Sequence, residues 1–261
     1  RQNPAFKKVR EPHESVFMSL YFEELDYRPT PIGPISLRRR RELSLGVDVF
    51  EIMLGDEHLM SSLFTASEIA LAELGLAALT GDKLDILVGG LGLGYTAKSV
   101  LEHDSVGSLL VVDMLEAVID WHRAGLLPLG TEVADDSRCT LVQGDFFAGA
   151  ASTAGFDPDA PGRRFDAILV DIDHSPEALL DDRSAGFYGT EGLGALAVHL
   201  KPGGIFGLWS NDKPDSTFTE RLSEIFAEAW AEPVTFHNPL QDRPFTQTVY
   251  LARTAAANER I

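Results

Sequence analysis

The run Leu84-Asp85-Ile86-Leu87-Val88-Gly89-Gly90-Leu91-Gly92-Leu93-Gly94-Tyr95-Thr96 carries an apolar stretch straight into a glycine-rich turn. Its apolar part, Leu84 to Val88, suits a strand buried on both faces. Tyr95 to Glu102 then has helical spacing. Glycines between a buried strand and a helix let backbone approach a ligand closely and present amides at the helix start. The dinucleotide pattern Gly-x-Gly-x-x-Gly fails, because counting from Gly90 puts Tyr95 where the third glycine belongs. What stands instead is Gly-x-Gly-x-Gly at Gly90, Gly92 and Gly94. Alone, such a turn also serves tight helix–strand packing, so the neighbouring strands must decide.

Downstream, apolar runs recur at Leu109 to Val112, Thr140 to Val142, Ala167 to Val170, Gly204 to Trp209, Pro233 to Phe236 and Thr248 to Leu251. Helical patterns lie between several of them, at Leu115 to His122, Thr190 to His199 and Ser216 to Trp230. This alternation predicts an α/β fold: a Rossmann-like, seven-stranded, mostly parallel sheet covered on both faces. The last two runs are joined by a loop, which permits an antiparallel edge strand. Upstream, Tyr21 to Tyr27, Ile35 to Arg41 and Val47 to Leu54 read as strands separated by Pro29, Pro31, Gly33-Pro34 and Gly46. They predict a small N-terminal β-hairpin domain over residues 1–60, followed by a second domain over 61–261 that opens with a helix near Ser61 to Leu79.

Ligands bind such sheets at the carboxyl ends of the strands. The second strand of the large domain ends in Asp113, 23 residues after Gly90, close to the spacing at which an acid reaches ribose hydroxyls. The third ends in Gly144-Asp145 and the fourth in Val170-Asp171. Successive acids at strand ends behind a glycine turn point to a nucleoside site.

Charge and composition narrow the partners. The 261 residues carry a net charge of −18, which repels phosphate backbones and anionic lipid and favours a cationic ligand. Neither nucleic acid nor membrane is an expected partner, and no apolar run is long enough to cross a bilayer. Arg38-Arg39-Arg40-Arg41 reads as one half-exposed strand face. Arg1 to Val9 is polar and basic, so no secretory signal is expected. The single cysteine, Cys139, reads as a small buried hydrophobe, consistent with a reducing cytoplasm. No metal-ligand cluster stands out. An exposed hairpin edge leaves homodimerisation open.

Taken together, Gly90 to Gly94, Asp113, Gly144-Asp145, Asp171 and Lys201-Pro202-Gly203-Gly204 resemble the motif series of class I S-adenosylmethionine-dependent methyltransferases. The fuller resemblance is to the spermidine synthase-like branch, over roughly residues 20 to 253. That branch has a small β-hairpin domain and an acid-helix segment like Val112-Asp113-Met114-Leu115-Glu116-Ala117-Val118-Ile119. The resemblance implies a methyltransferase-type sheet that binds S-adenosylmethionine or its decarboxylated form. It places Gly90, Gly92 and Gly94 along the methionine part, Asp113 at the ribose and Asp145 at the adenine, with Met114, Gly144 and Asp171 also in the cofactor site. The departures are specific. Aminopropyltransferases usually carry an Asp inside the glycine loop, where this chain has Leu91 and Leu93. Their Asp-Ser-x-Asp-Pro run is here Asp171-Ile172-Asp173-His174-Ser175-Pro176, and their Tyr-His or Tyr-Gln pair is replaced by the neighbourhood of Ala66-Ser67-Glu68.

Transfer from a sulfonium is an in-line displacement that needs an acceptor with a free lone pair. An amine acceptor is mostly protonated at neutral pH, so a nearby base helps. Asp171, Asp173 and His174 stand where that base belongs, Asp171 foremost. Trp209 to Asp212 and the loop Phe236 to Thr246 are weaker candidates for the acceptor side, while Phe17, Met18 and Tyr21 read as core. Lacking a loop carboxylate, the chain is expected to transfer a methyl group to a small acceptor, such as an amine. The alternatives are aminopropyl transfer and a catalytically silent nucleoside-binding homologue.

Overall fold

The turn formers at the start of the chain divide four antiparallel strands that pair in chain order: β1 (Phe22–Thr30), β2 (Gly33–Glu42), β3 (Val47–Leu54) and β4 (Glu57–Ser61). The structure, a computed structural model, describes residues 21–257. Phe17, Met18 and the basic first residues lie outside them. Ile35, Leu37, Val49 and Ile52 form the buried face of this sheet. Its arginine run is explained by cross-strand pairing, because Arg39 meets Glu23 at 2.7 Å, Arg40 meets Glu51 at 2.8 Å and Arg41 meets Asp48 at 3.0 Å. Tyr21, read as core, is instead 60% exposed.

The alternating region follows as α1 (Ala66–Ala77), β5 (Leu84–Gly89), α2 (Tyr95–Leu101), β6 (Val106–Asp113), α3 (Glu116–Arg123), α4 (Gly130–Ala134), β7 (Cys139–Gln143), α5 (Phe146–Ala151) and β8 (Phe165–Val170). A 3₁₀ segment (Asp182–Tyr188), α6 (Thr190–Ala197), β9 (Leu200–Ser210), α7 (Ser216–Ser223), β10 (Glu228–Asn238) and β11 (Arg243–Arg253) complete it. The seven strands lie in the order β10-β11-β9-β8-β5-β6-β7. Strands β5 to β9 are parallel, and β11 runs antiparallel to both β9 and β10. The chain therefore moves outward from β5 to β7, then returns to β8 on the other side. That reversal opens a crevice at the carboxyl ends of β5 and β8.

Several boundaries depart from the sequence reading for identifiable reasons. The first helix begins at Ala66, because Glu57 to Ser61 pair with β3. The helical pattern expected to reach Trp230 stops at Ser223; Glu228 to Trp230 join β10, where Trp230 faces Leu251. Strand pairing overrides local propensity there. The reversed strand is not at the edge, since β11 inserts between β9 and β10. Pro176 to Leu180 forms turns.

The two sheets share an apolar core in which Ile35, Leu37 and Ile52 pack with Leu71, Val118 and Trp121. Polar ties fix the docking: Trp121 Nε1 donates to Asp26 at 2.6 Å, and Arg28 meets Asp120 at 2.6 Å. Cys139 is packed against the same core, and burial pushes its thiol up to about 12.

Lys201, part of the resemblance motif, lies at the opposite end of the sheet from the crevice. Its ammonium bridges Asp166 at 2.8 Å and Asp85 at 3.1 Å, tying the first turns of β5, β8 and β9. Arg163 adds a third contact to Asp85 at 3.1 Å. Replacing Lys201 with Ala leaves Asp166 without a cation and Asp85 with Arg163 alone, and should cost about 1 to 2 kcal/mol. Thermal unfolding should then fall by roughly 3 to 6 °C with nucleoside affinity unchanged; a loss of affinity would place Lys201 in the binding machinery instead.

Candidate active site

A cavity of about 280 Å³ opens at the carboxyl ends of the parallel strands. Sheet order arranges its wall in a line: Trp209 from β9, Asp171 after β8, Gly90 after β5, Asp113 from β6 and Asp145 after β7. Met60 and Ile52 of the N-terminal sheet close it from above. Six of the sequence-derived cofactor residues, namely Gly90, Gly92, Asp113, Met114, Asp145 and Asp171, line this one cavity. Gly94 and Gly144 do not; they sit just behind it.

Why the glycine turn must be glycine is visible at Gly90. Its φ is +90°, and a Cβ there would lie 2.0 Å from the Asp171 carbonyl oxygen. The turn is then held from below. Asp113 accepts from the amides of Leu91 at 2.9 Å and Leu115 at 2.8 Å, coupling the loop to β6 and the start of α3. His122, fully buried, reaches the Gly92 carbonyl with Nε2 at 3.0 Å, and burial lowers its basicity. Leu91 and Leu93, which hold the place of the usual loop acid, are buried in the core and face away from the cavity.

At the β7 end Asp145 caps α5, accepting from the Ala148 amide at 3.1 Å, beside Phe147 and the exposed Met114. A flat heterocycle with a neighbouring diol suits this end, since apolar faces and carboxylate acceptors alternate along it. An adenosyl group therefore fits the residues present.

The β8–β9 end has a different character. Asp171 accepts from the Thr96 hydroxyl at 2.8 Å, and burial raises its pKa. Asp173 is 3% exposed and accepts from the Leu180 amide at 2.7 Å, the Tyr188 hydroxyl at 2.7 Å and the Ser184 hydroxyl at 3.2 Å. Both of its oxygens thus accept from the segment 180–188, which Asp173 ties down. His174 lines the cavity, its Nε2 3.9 Å from Glu57 of β4. The loop after Phe236 does not reach the cavity; Asn238 folds its own turn by accepting from the Leu240 amide at 3.0 Å.

One residue at this end was not read from the sequence. Glu68, in the first turn of α1, is 6% exposed and lines the cavity with Asp171. Thr65-Ala66-Ser67-Glu68 has capping-box spacing, which would account for the acid without any function. However, Thr65 makes no side-chain cap, and Glu68 turns inward. Its carboxyl meets Ser67 Oγ at 2.8 Å, and Ser67 in turn contacts Gln247 Oε1 at 2.6 Å and Trp209 Nε1 at 2.7 Å. Burial first, and the Asp171 charge second, push Glu68 up to about 8. Among the described residues no cation meets either acid. The nearest lining guanidinium, Arg183, is mostly exposed and paired with Asp181 at 2.5 Å.

A carboxyl held above its unfolded pKa stabilises the fold while protonated, and that stability is lost as pH rises through the folded value. Glu68→Gln removes the ionisation, so its thermal midpoint should gain on the wild type between about pH 5 and pH 8 and level off above that. A difference that does not change with pH would mean that Glu68 is not strained by its site.

A family profile described as the spermine/spermidine synthase domain matches residues 65–224. Polyamine aminopropyltransferase 2 of Pseudomonas aeruginosa is 29% identical over 154 residues, covering 55% of this chain and 40% of that protein. Putrescine N-methyltransferase 2 of Nicotiana attenuata is 30% identical over 135 residues, covering 52% of this chain and 33% of that protein. The matched stretch thus spans well under half the length of these curated relatives. A spermidine synthase crystallised with the transition-state analogue AdoDATO superposes with a TM-score of 0.68 at 19% identity, covering 89% of this chain and 74% of that one. Spermidine synthase from Thermotoga maritima gives the same TM-score of 0.68 at 19% identity, over 89% of this chain and 73% of that one. The two solved structures share the fold over 89% of this chain, and the profile spans the glycine turn and every strand-end acid of the cavity: the chain belongs to the spermine/spermidine synthase domain family.

Proposed function

We propose that this protein transfers a group from an adenosyl sulfonium to an amine, and that the group is aminopropyl, from decarboxylated S-adenosylmethionine. The observation that carries this reading is the pair of cation-free buried acids, Glu68 and Asp171, at the β8–β9 end of the cavity. An S-adenosylmethionine lying along the strand ends would bring its own carboxylate to that pair. An ionised Asp171 repels that carboxylate in a desolvated pocket, and a protonated Glu68 offers no positive charge to hold it. The decarboxylated donor brings only an ammonium, and an amine acceptor brings another cation. Both complement the acids.

The expectation of methyl transfer rested on a glycine loop without a carboxylate. Glu68 offers one from α1 instead, so that argument lapses. The family profile and the bacterial aminopropyltransferase relative also favour aminopropyl transfer. The kinship with a putrescine N-methyltransferase keeps methyl transfer as the second reading, with the same class of acceptor.

The sulfonium supplies an activated carbon and a neutral thioether leaving group. The chain's own residues supply position and a proton acceptor. Glycines at 90 and 92 allow close approach of backbone, and Asp113 with Asp145 fixes the nucleoside end. Asp171 orients the acceptor ammonium and accepts its proton, freeing the lone pair that forms the new C–N bond as the C–S bond breaks. Burial keeps Asp171 basic enough for this near neutral pH, while Thr96 holds one oxygen in place.

Incubation with putrescine should give spermidine from the decarboxylated donor faster than N-methylputrescine from S-adenosylmethionine. A methylated product alone would sink the aminopropyl assignment. Asp171→Asn keeps size and should lower kcat by about 10²- to 10⁴-fold with 5′-methylthioadenosine affinity nearly constant. A parallel fall in thermal stability and nucleoside affinity would instead make Asp171 a structural acid.

A further inference from the structure

Resting on that reading, we propose that Glu68 grips the terminal ammonium of the aminopropyl donor, and that it carries a proton in the free enzyme which donor binding expels. The glycine loop cannot do this, because Leu91 and Leu93 are buried in the core. Glu68 comes to the same cavity from the opposite wall, on the first turn of a helix that precedes the loop. The helix can lie this close to the sheet because Gly75 rests on Leu169, where a Cβ would meet its Cδ2 at 2.7 Å.

The proton follows from counting hydrogens. Ser67 Oγ has one hydrogen and three neighbours: Trp209 Nε1, which can only donate to it, Gln247 Oε1 at 2.6 Å and Glu68 Oε2 at 2.8 Å. Gln247 is oriented by its amide nitrogen, which donates to Asn211 Oδ1 at 3.0 Å, so its oxygen faces Ser67 as an acceptor. The Ser67 hydrogen belongs on that shorter contact. One Ser67 hydrogen cannot serve both acceptors at once, and a protonated Glu68 carboxyl supplies the second.

The surroundings agree. Among the groups facing Glu68, Asp171 just after β8 and Tyr95 on α2 are titratable, and neither is a cation. Ser67, Trp209 and Gln247 complete its neighbourhood without charge. An arriving ammonium supplies the missing positive charge. Glu68 then ionises, its proton leaves to solvent, and a charge-assisted hydrogen bond replaces a neutral one.

Calorimetric titration in two buffers of contrasting protonation enthalpy, at pH 7, tests this with decarboxylated S-adenosylmethionine and 5′-methylthioadenosine. The second compound has the adenosyl-sulfur part and no ammonium. The wild type should release close to one proton on binding the first compound and none on binding the second. Glu68→Gln should bind the first at least about tenfold more weakly, release no proton, and bind the second within about twofold of wild type. Thermal unfolding of the variant confirms that it is folded. Unchanged affinity for the decarboxylated donor, an equal loss for both compounds, or proton release that persists in the variant each overturns the role given to Glu68, while the adenosyl reading stands. A wild type that binds neither compound overturns the functional reading itself.

Discussion

The approach of β8 to the turn after β5 is the constraint on which the rest of this structure depends. The Asp171 amide donates to the Gly89 carbonyl at 2.8 Å, and the Asp171 carbonyl sits where a side chain on Gly90 would have to be. That contact closes the base of the crevice where strand order reverses. It also fixes Asp171 beside the glycine turn, in the same cavity wall as Gly90, Asp113 and Asp145.

Around this contact, the cavity has two ends of opposite electrostatic purpose. At the β7 end the acids are partnered: Asp113 holds two amides and Asp145 caps a helix. Such carboxylates are fixed acceptors for hydroxyls and amino groups. At the β8–β9 end, Asp171 and Glu68 lack cations and are raised by burial. The arrangement costs stability in the free protein and returns it when a cation enters. The net charge of −18 gives the chain as a whole the same sign as these acids.

Asp173 and Glu68 show how far residue type misleads without context. Asp173 stands two residues from the strand end in the place expected of a base, yet three donors from a single loop segment enclose it. Glu68 stands where a helix cap is expected, yet it faces the cavity. Both assignments turn on what surrounds the carboxyl, which local spacing does not encode.

The sequence by itself determined the sheet, its two layers of helices, the glycine turn and the strand-end acids. Each is a local signal: apolar runs of strand length, helical spacing between them, and glycines where φ must be positive. It missed the short helices α4 and α5 and overran α7, because a segment's neighbours in the sheet decide such boundaries. Only the tertiary structure decided that Leu91 and Leu93 turn into the core, that β11 inserts between β9 and β10, and that Glu68 meets Asp171. Those two acids lie more than a hundred residues apart and come together because α1 lies close across β8 at Gly75. Periodicity reports which face of an element is buried; it carries no record of which buried face another element will meet.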